Sequence, residues 1–342
     1  MKRPWLAPLV PLYALGAAAR DLRIRRGWEP VRRLRWPVIS VGNLSTGGSG
    51  KTPLTIALAR LLTEKGINVD VLSRGYGRRS ALPLRVEMNG AAEDYGDEPL
   101  LIARAAGVPV YVAPQRYDAG TLAETDTATK TKEQLDLVED GVTHAHIVDD
   151  GFQHRQLHRD IDILLLNRED WRDSLLPAGN LREARQAAKR AGILAIPADD
   201  PAFEAELHAW GSSGPVWHLH RRVQVPQING PVLAFCGIAR PEQFFRSLES
   251  AGLRLAASKA FRDHHRYTAS DIERLLATAR KCAATAFVTT EKDAVRLGPL
   301  ASSFPPELPL LTARLTIEIE DQPAAIDDLI ARLQPTSAHS PL

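Results

Sequence analysis

Between positions 45 and 52 the chain reads Ser45-Thr46-Gly47-Gly48-Ser49-Gly50-Lys51-Thr52. Glycines so placed let backbone N–H groups close around phosphate oxygens, the lysine reaches the β- and γ-phosphates of a nucleotide, and the final hydroxyl can ligate Mg²⁺. Ser45 stands where the usual pattern has its first glycine, yet the three glycines nearest the lysine are present, and Pro53 suits a first helical turn that needs no N–H there. A second signal is the run from His144 to Asp150. A buried strand ending in the paired carboxylates Asp149 and Asp150 has the form of an element whose acids hold Mg²⁺ directly or through water. Asp97 and Glu98 follow Gly96 at the start of another helix, where carboxylates also serve as ordinary dipole partners. His264 and His265 lie in a loop, and Arg74, Arg78 and Arg79 follow a strand at its carboxyl end, where open α/β sheets bind ligands.

These groups need a scaffold, and the hydrophobic pattern supplies one. Residues 38–43 are a β-branched run, 54–64 are apolar at helical spacing before Gly66, and 68–73, 108–113, 144–150, 162–167 and 192–197 read as further strands. Strands alternating with helices predict a mostly parallel sheet covered on both faces. Residues 84–90, with the turn Asn89-Gly90, predict a small hairpin, and 125–132 an exposed low-complexity segment. A polar Pro/Gly/Asn stretch at 221–231 reads as a junction. Beyond it come a strand at 231–237, a helix at 241–250, a helix capped by Thr268, and a strand at 286–290 that leads into Glu291-Lys292-Asp293. The expectation is α/β throughout: an N-terminal segment 1–32, a phosphate-loop domain 33–222 and a smaller α/β domain 230–335, with a polar tail.

With 342 residues, 44% apolar and 25% charged, the chain can bury a substantial core. A net charge of +2 argues against a nucleic-acid binder, so basic function must be local. It is local at the N-terminus. Residues 4–19 carry no charge and include Trp5, Leu6, Leu9, Leu12 and Leu15; Arg20, Arg23, Arg25, Arg26, Arg32, Arg33 and Arg35 follow, with Trp28 and Trp36 among them. The apolar part is too short for a span of about 20 residues. It reads as an anchor at an anionic membrane surface, with a core helix as the competing reading. Cys236 and Cys282 lack metal-site spacing and suit a reducing cytoplasm.

Taken together, Gly42 to Pro53, Ser73-Arg-Gly-Tyr-Gly77, Gly96-Asp-Glu-Pro99, Val148 to His154, Leu176-Pro-Ala-Gly179, Leu181-Arg-Glu183, Ala234 to Pro241, Asp263-His-His265 and Thr290-Glu-Lys-Asp293 resemble the tetraacyldisaccharide 4′-kinase family of lipid A biosynthesis. The resemblance implies a P-loop NTPase-like fold with an N-terminal membrane-associated helix. It also implies transfer of the ATP γ-phosphate to a tetraacylated glucosamine disaccharide 1-phosphate at the cytoplasmic face of the bacterial inner membrane, with no nucleic acid and no obligate protein partner. By position it implies nucleotide binding at Ser45, Thr46, Gly47, Gly48, Ser49, Gly50, Lys51 and Thr52, and a catalytic set of Asp97, His264 and Lys51. Mg²⁺ falls to Thr52, Glu98, Asp149 and Asp150, and the lipid headgroup to Arg116, His154, Asn180 and Arg182. A membrane-associated ATPase acting as a dimerising switch is the alternative, but Thr46 occupies the place of the extra lysine those loops carry. Deleting residues 1–30 is expected to release the protein from membranes; unchanged sedimentation with membranes would remove the anchor.

Overall fold

The computed structural model describes residues 3–48, 50–131, 143–212 and 214–334. Twelve strands are numbered in chain order: β1 Val38–Asn43, β2 Asn68–Ser73, β3 Leu84–Arg85, β4 Val110–Val112, β5 His144–Asp149, β6 Ile161–Leu165, β7 Ile193–Pro197, β8 Val216–Gln224, β9 Val232–Cys236, β10 Leu255–Ala260, β11 Ala286–Thr290 and β12 Leu310–Ile319. They form one order, β10-β9-β11-β12-β8-β7-β6-β1-β5-β2-β4-β3. Its neighbours run parallel except at β12–β8 and β3–β4, which are antiparallel. The mostly parallel α/β architecture is as expected. β1, from which the phosphate loop leaves, lies between β5 and β6, and all six of its residues are buried.

Three local readings are corrected. Leu84 and Arg85 pair with β4 across two intervening helices, Ala92–Tyr95 and Asp97–Ala106, and do not form a hairpin. The threonine-rich stretch from 125 is the second half of a helix, Arg116–Thr131, in which the hydroxyls of Thr121, Thr125 and Thr129 bond back to the carbonyls one turn earlier. The junction at 221–231 begins inside β8, whose pairing with β12 carries the sheet from the first half of the chain into the second.

The helix Lys51–Glu64 places Leu54, Leu58 and Leu62 on one fully buried stripe, as the spacing of four requires. The same core takes in Val295, Ile317, Ile319 and, from the helix Gln322–Leu333, Ile326, Leu329 and Leu333. The two halves are therefore joined by shared apolar packing as well as by the sheet. The N-terminal helix Val10–Arg25 buries only Ile24 and leaves Leu12 and Leu15 about two-thirds exposed, which removes the core-helix reading. It is held by polar contacts: the Arg3 N–H donates to the carbonyl of Ala178 at 2.7 Å, Tyr13 donates to the carbonyl of Arg182 at 2.9 Å, and Asp21 pairs with Arg155. No helix among the described residues is long and apolar enough to cross a membrane.

Where this segment joins the sheet, a buried ion cluster holds it. His146 of β5 is fully buried, with Nδ1 2.7 Å from an Asp70 oxygen and Nε2 3.5 Å from Glu124. Glu124 accepts the N–H groups of Arg35 (2.5 Å) and Trp36 (3.3 Å), while Trp36 stacks on His144 at 4.3 Å. Burial alone would lower the pKa of His146, but Asp70 and Glu124 overcome it and push the imidazole up to about 9. Between about pH 6.5 and about 9 the folded chain therefore binds a proton that the unfolded chain has lost, so stability falls as pH rises through that window. Denaturant unfolding from pH 6 to 9.5 should show this decline, and His146→Gln should flatten it.

Candidate active site

β1 ends at Asn43, and the chain turns through the phosphate loop into the helix that begins at Lys51. Gly47, Gly48 and Gly50 have φ of +80°, +60° and +93°, conformations that a side chain would strain. A Cβ at Gly47 would also lie 2.9 Å from Ala239, and one at Gly48 3.1 Å from the Arg240 side chain, so a loop of the second half closes over these glycines. The N-terminus of the helix faces the same space and favours negative charge.

Lys51 Nζ donates to Asn43 Oδ1 at 3.0 Å and lies 3.6 Å from Asp150 Oδ1. Arg182 grips Asp150 through both terminal nitrogens (2.9 and 2.7 Å) and reaches Asn43 Oδ1 at 2.6 Å. Asp150 adopts φ of +51°, which turns the chain sharply after β5. Burial would raise its pKa, but Lys51 and Arg182 hold the carboxyl below the usual range. Asp149, 2% exposed, accepts a hydrogen bond from Thr55 Oγ1 at 3.3 Å. Burial, then the charges of Glu98 and Asp150, push it up to about 7.

Across the cavity, Asp97 opens the helix Asp97–Ala106 and is 7% exposed. His264, from the loop after β10, places Nδ1 3.1 Å from Asp97 Oδ2, and Arg296 of the helix Glu291–Leu297 donates to that oxygen from Nε at 2.6 Å. Burial works against ionisation of Asp97, yet the His264 hydrogen bond and Arg296 hold its pKa below the usual range. The hydrogen bond with Asp97 raises that of His264. Glu98 is paired with Lys292 and lowered by it. A cavity of about 390 Å³ runs between Gly47, Gly48, Lys51 and Thr52 on one side and Glu98, His264, Lys292 and Arg296 on the other. Its lining also includes the apolar side chains of Val223, Ile238, Phe244 and Leu315.

The other expected residues are placed as follows. Ser45 is 1% exposed and its hydroxyl donates to Asp170 Oδ2 at 2.8 Å, so its side chain anchors the base of the loop. The Thr46 N–H donates to the carbonyl of Asn180 at 2.9 Å, so Asn180 meets the loop through its backbone. Ser49 lies outside the described residues. Arg116 is buried beside His154, whose Nε2 accepts the Arg116 backbone N–H at 3.3 Å. Burial and neighbouring arginines push His154 down to about 4, keeping it neutral, and burial lowers Arg116 to about 10. The Nε atoms of Arg116 and Arg182 are buried without a hydrogen-bond partner among the described residues. Sequence reasoning missed Asn43, Asp170, Lys292 and Arg296. Lys292 and Arg296 are one helical turn apart, the spacing that puts both on one face.

The family profile described as Tetraacyldisaccharide-1-P 4'-kinase matches residues 2–334. This chain belongs to the tetraacyldisaccharide-1-P 4′-kinase family. Among its relatives, the tetraacyldisaccharide 4'-kinase of Koribacter versatilis is 42% identical over 94% of this chain and 97% of its own. That of Desulfotalea psychrophila is 36% identical over 90% of each. A solved structure described as the "apo" form of LpxK from Aquifex aeolicus in complex with ATP is 30% identical, with a TM-score of 0.72 over 96% of this chain and 98% of that one. Within this family's fold, Ser45 has a structural partner of its own. Ser45→Gly, which would restore the common loop pattern, should lower stability by about 1–3 kcal/mol by removing the donor to buried Asp170, as chemical denaturation would measure.

Proposed function

We propose that this protein transfers the γ-phosphate of ATP to the 4′-hydroxyl of a tetraacylated glucosamine disaccharide 1-phosphate. The observation that carries the reading is that one cavity is lined both by the phosphate loop with Lys51 and by His264 from the second half of the chain, whose ring is paired with Asp97. Phosphoryl transfer depends on positioning and on neutralising charge. Backbone N–H groups of the loop and the helix N-terminus receive the β- and γ-phosphates, and Lys51, already beside the cavity, reaches their oxygens.

The donor set fits magnesium, which takes one or two protein oxygens and completes its shell with phosphate and water. Among the described residues no cluster of three or more acidic, histidine or cysteine side chains could hold a metal unaided. Thr52 and Asp149 are the side chains we assign to it. Glu98 and Asp150, expected as ligands, are already ion-paired with Lys292 and Arg182 and act by balancing those cations. Bound Mg²⁺ would neutralise charge on the transferring phosphate.

The sugar hydroxyl is a poor nucleophile until it loses its proton, and we assign that step to the Asp97–His264 pair. Arg116, Arg182 and neutral His154 form an anion-receiving wall next to Asp150, suited to the phosphorylated lipid headgroup; Asn180 contributes by fixing the loop backbone. Tyr13 ties the N-terminal helix to Arg182. Exposed Trp5, Leu9, Leu12 and Leu15, with the arginines after them, would hold that helix on the cytoplasmic face of the inner membrane, delivering an acylated substrate to the site beside it.

Asp97→Ala should reduce formation of the 4′-phosphorylated lipid by roughly 10²–10⁴ in a steady-state assay at saturating ATP. Near-normal turnover would take Asp97 out of the mechanism.

A further inference from the structure

The serine at the foot of the phosphate loop and an arginine of the second half meet on one buried carboxylate. Asp170 receives Arg240 Nη2 on Oδ1 at 2.5 Å, and on Oδ2 it receives the Ser45 hydroxyl at 2.8 Å and the Asn167 amide at 2.7 Å. Asn167 in turn caps the short helix Arg168–Trp171 by accepting the Asp170 N–H at 2.8 Å, which holds the carboxylate from its own backbone outward. Arg240 stands immediately before the helix Pro241–Ser250, and its side chain also packs over Gly48, where a Cβ would approach it to 3.1 Å. One guanidinium thus rests against the tip of the loop and, through Asp170, fixes its foot.

From Ser45 the contacts continue to the lysine. Ser45 Oγ accepts Asn43 Nδ2 at 3.0 Å, and Asn43 Oδ1 accepts Lys51 Nζ at 3.0 Å and Arg182 Nη2 at 2.6 Å. Asn43 and Ser45 are both buried, so these groups depend on one another for their hydrogen bonds. Chemistry sets the direction of each bond. A carboxylate only accepts, so the one hydroxyl proton of Ser45 goes to Asp170. The serine oxygen is then left to accept, and Asn43 must turn its NH₂ toward it. That turns the Asn43 carbonyl oxygen toward Lys51 and Arg182, which only donate. A flipped Asn43 would press amide hydrogens against the ammonium, so the chain is satisfied in one sense only, and bonds aligned in this way polarise and strengthen one another. At its end the ammonium is held by Asn43 Oδ1, with Asp150 Oδ1 3.6 Å away, at the wall of the cavity.

Building on the kinase reading above, we infer that Arg240 and Ser45 are positioning residues for Lys51: through Asp170 and Asn43 they hold the lysine where the β- and γ-phosphates of ATP arrive. Ser45 does what the glycine of the common loop pattern cannot, because a glycine has no hydroxyl to orient Asn43. Arg240 faces the acids of the helix Arg168–Trp171, with Nη2 on Asp170 and Nη1 3.7 Å from Glu169, so it acts by holding the loop rather than by meeting the phosphates. Lys51 belongs to the first half of the chain, yet its alignment depends on a guanidinium of the second half being seated against Asp170.

The test is a double-mutant cycle in MgATP affinity, measured by calorimetry on the full-length protein without lipid. Ser45→Ala and Arg240→Gln should each raise the Kd about tenfold, and Arg240→Lys should recover part of that loss. In a Lys51→Met background the same two substitutions should change the Kd by less than about twofold, because the lysine through which they act is gone. An unchanged Kd in the wild-type background, or equal effects in both backgrounds, would overturn the proposal; the second is what a general loosening of the loop or a direct phosphate contact by Arg240 would give. A further readout needs no variant. In nuclear Overhauser spectra of the wild-type protein, the side-chain NH₂ of Asn43, assigned from its backbone, should contact the Hβ protons of Ser45. Contact with the Hε protons of Lys51 instead would reveal the reversed amide and overturn the proposal whether or not the variants fold. Neither readout needs the lipid, so their failure is distinct from failure of the kinase reading, in which wild-type protein would form no phosphorylated lipid.

Discussion

The site depends on one electrostatic constraint: Asp97, Glu98, Asp149 and Asp150 lie within one another's field, and among the described residues three of the four are ion-paired with a cation. Asp97 is matched by Arg296, Glu98 by Lys292, and Asp150 by Arg182 with Lys51 behind it. Buried charges are tolerated when paired and hydrogen-bonded, and each of these pairs is anchored in secondary structure. Asp149 is the exception. Among the described residues its hydrogen-bond partner is the Thr55 hydroxyl, and burial, then the charges of Glu98 and Asp150, outweigh the more distant Lys51 and Lys292 and push its pKa up to about 7. In the kinase reading proposed above, the Mg²⁺ of the nucleotide would bring positive charge to Asp149.

Matching acids to bases in this way requires both halves of the chain. Lys292 and Arg296 come from the second half and their acids from the first. Arg240 adds a third link, donating at 2.5 Å to Asp170, the same carboxylate that holds Ser45 at the foot of the phosphate loop. Ala239 and Arg240 also sit against Gly47 and Gly48. The geometry of the loop is thus read by the second half through both sterics and charge. The antiparallel β8–β12 pair and the core shared by the helices Lys51–Glu64 and Gln322–Leu333 make that contact part of the fold.

Much of this was legible in the sequence, for physical reasons that also explain what was not. The phosphate loop, the paired acids after β5 and the strand–helix alternation are local: glycines, charges and apolar residues within one element announce them. Ser45 looked like a departure from a motif because its reason, Asp170, lies 125 residues away. Arg296 and Asp97 are separated by 199 residues, and an arginine near the end of a helix is ordinary until its partner is seen. Strand β8 was hidden by its own arginines, since Arg221 and Arg222 on a sheet that continues on both sides read as a polar junction. The helix after Arg116 was hidden by threonines, which favour other conformations unless their hydroxyls find carbonyls one turn back. Readings that came from the resemblance, chiefly the shared catalytic role of Asp97 and His264, could not have come from spacing.

The central claim is that this cavity couples ATP cleavage to a lipid-borne hydroxyl. Its most direct measurement is the fate of the label from γ-labelled ATP in detergent micelles with and without the tetraacylated disaccharide 1-phosphate. The account predicts one labelled phosphate on the lipid, located at the 4′ position, for each ADP formed, and little ADP when the lipid is left out. Equal ADP formation in both samples, with the label released as inorganic phosphate, would contradict it.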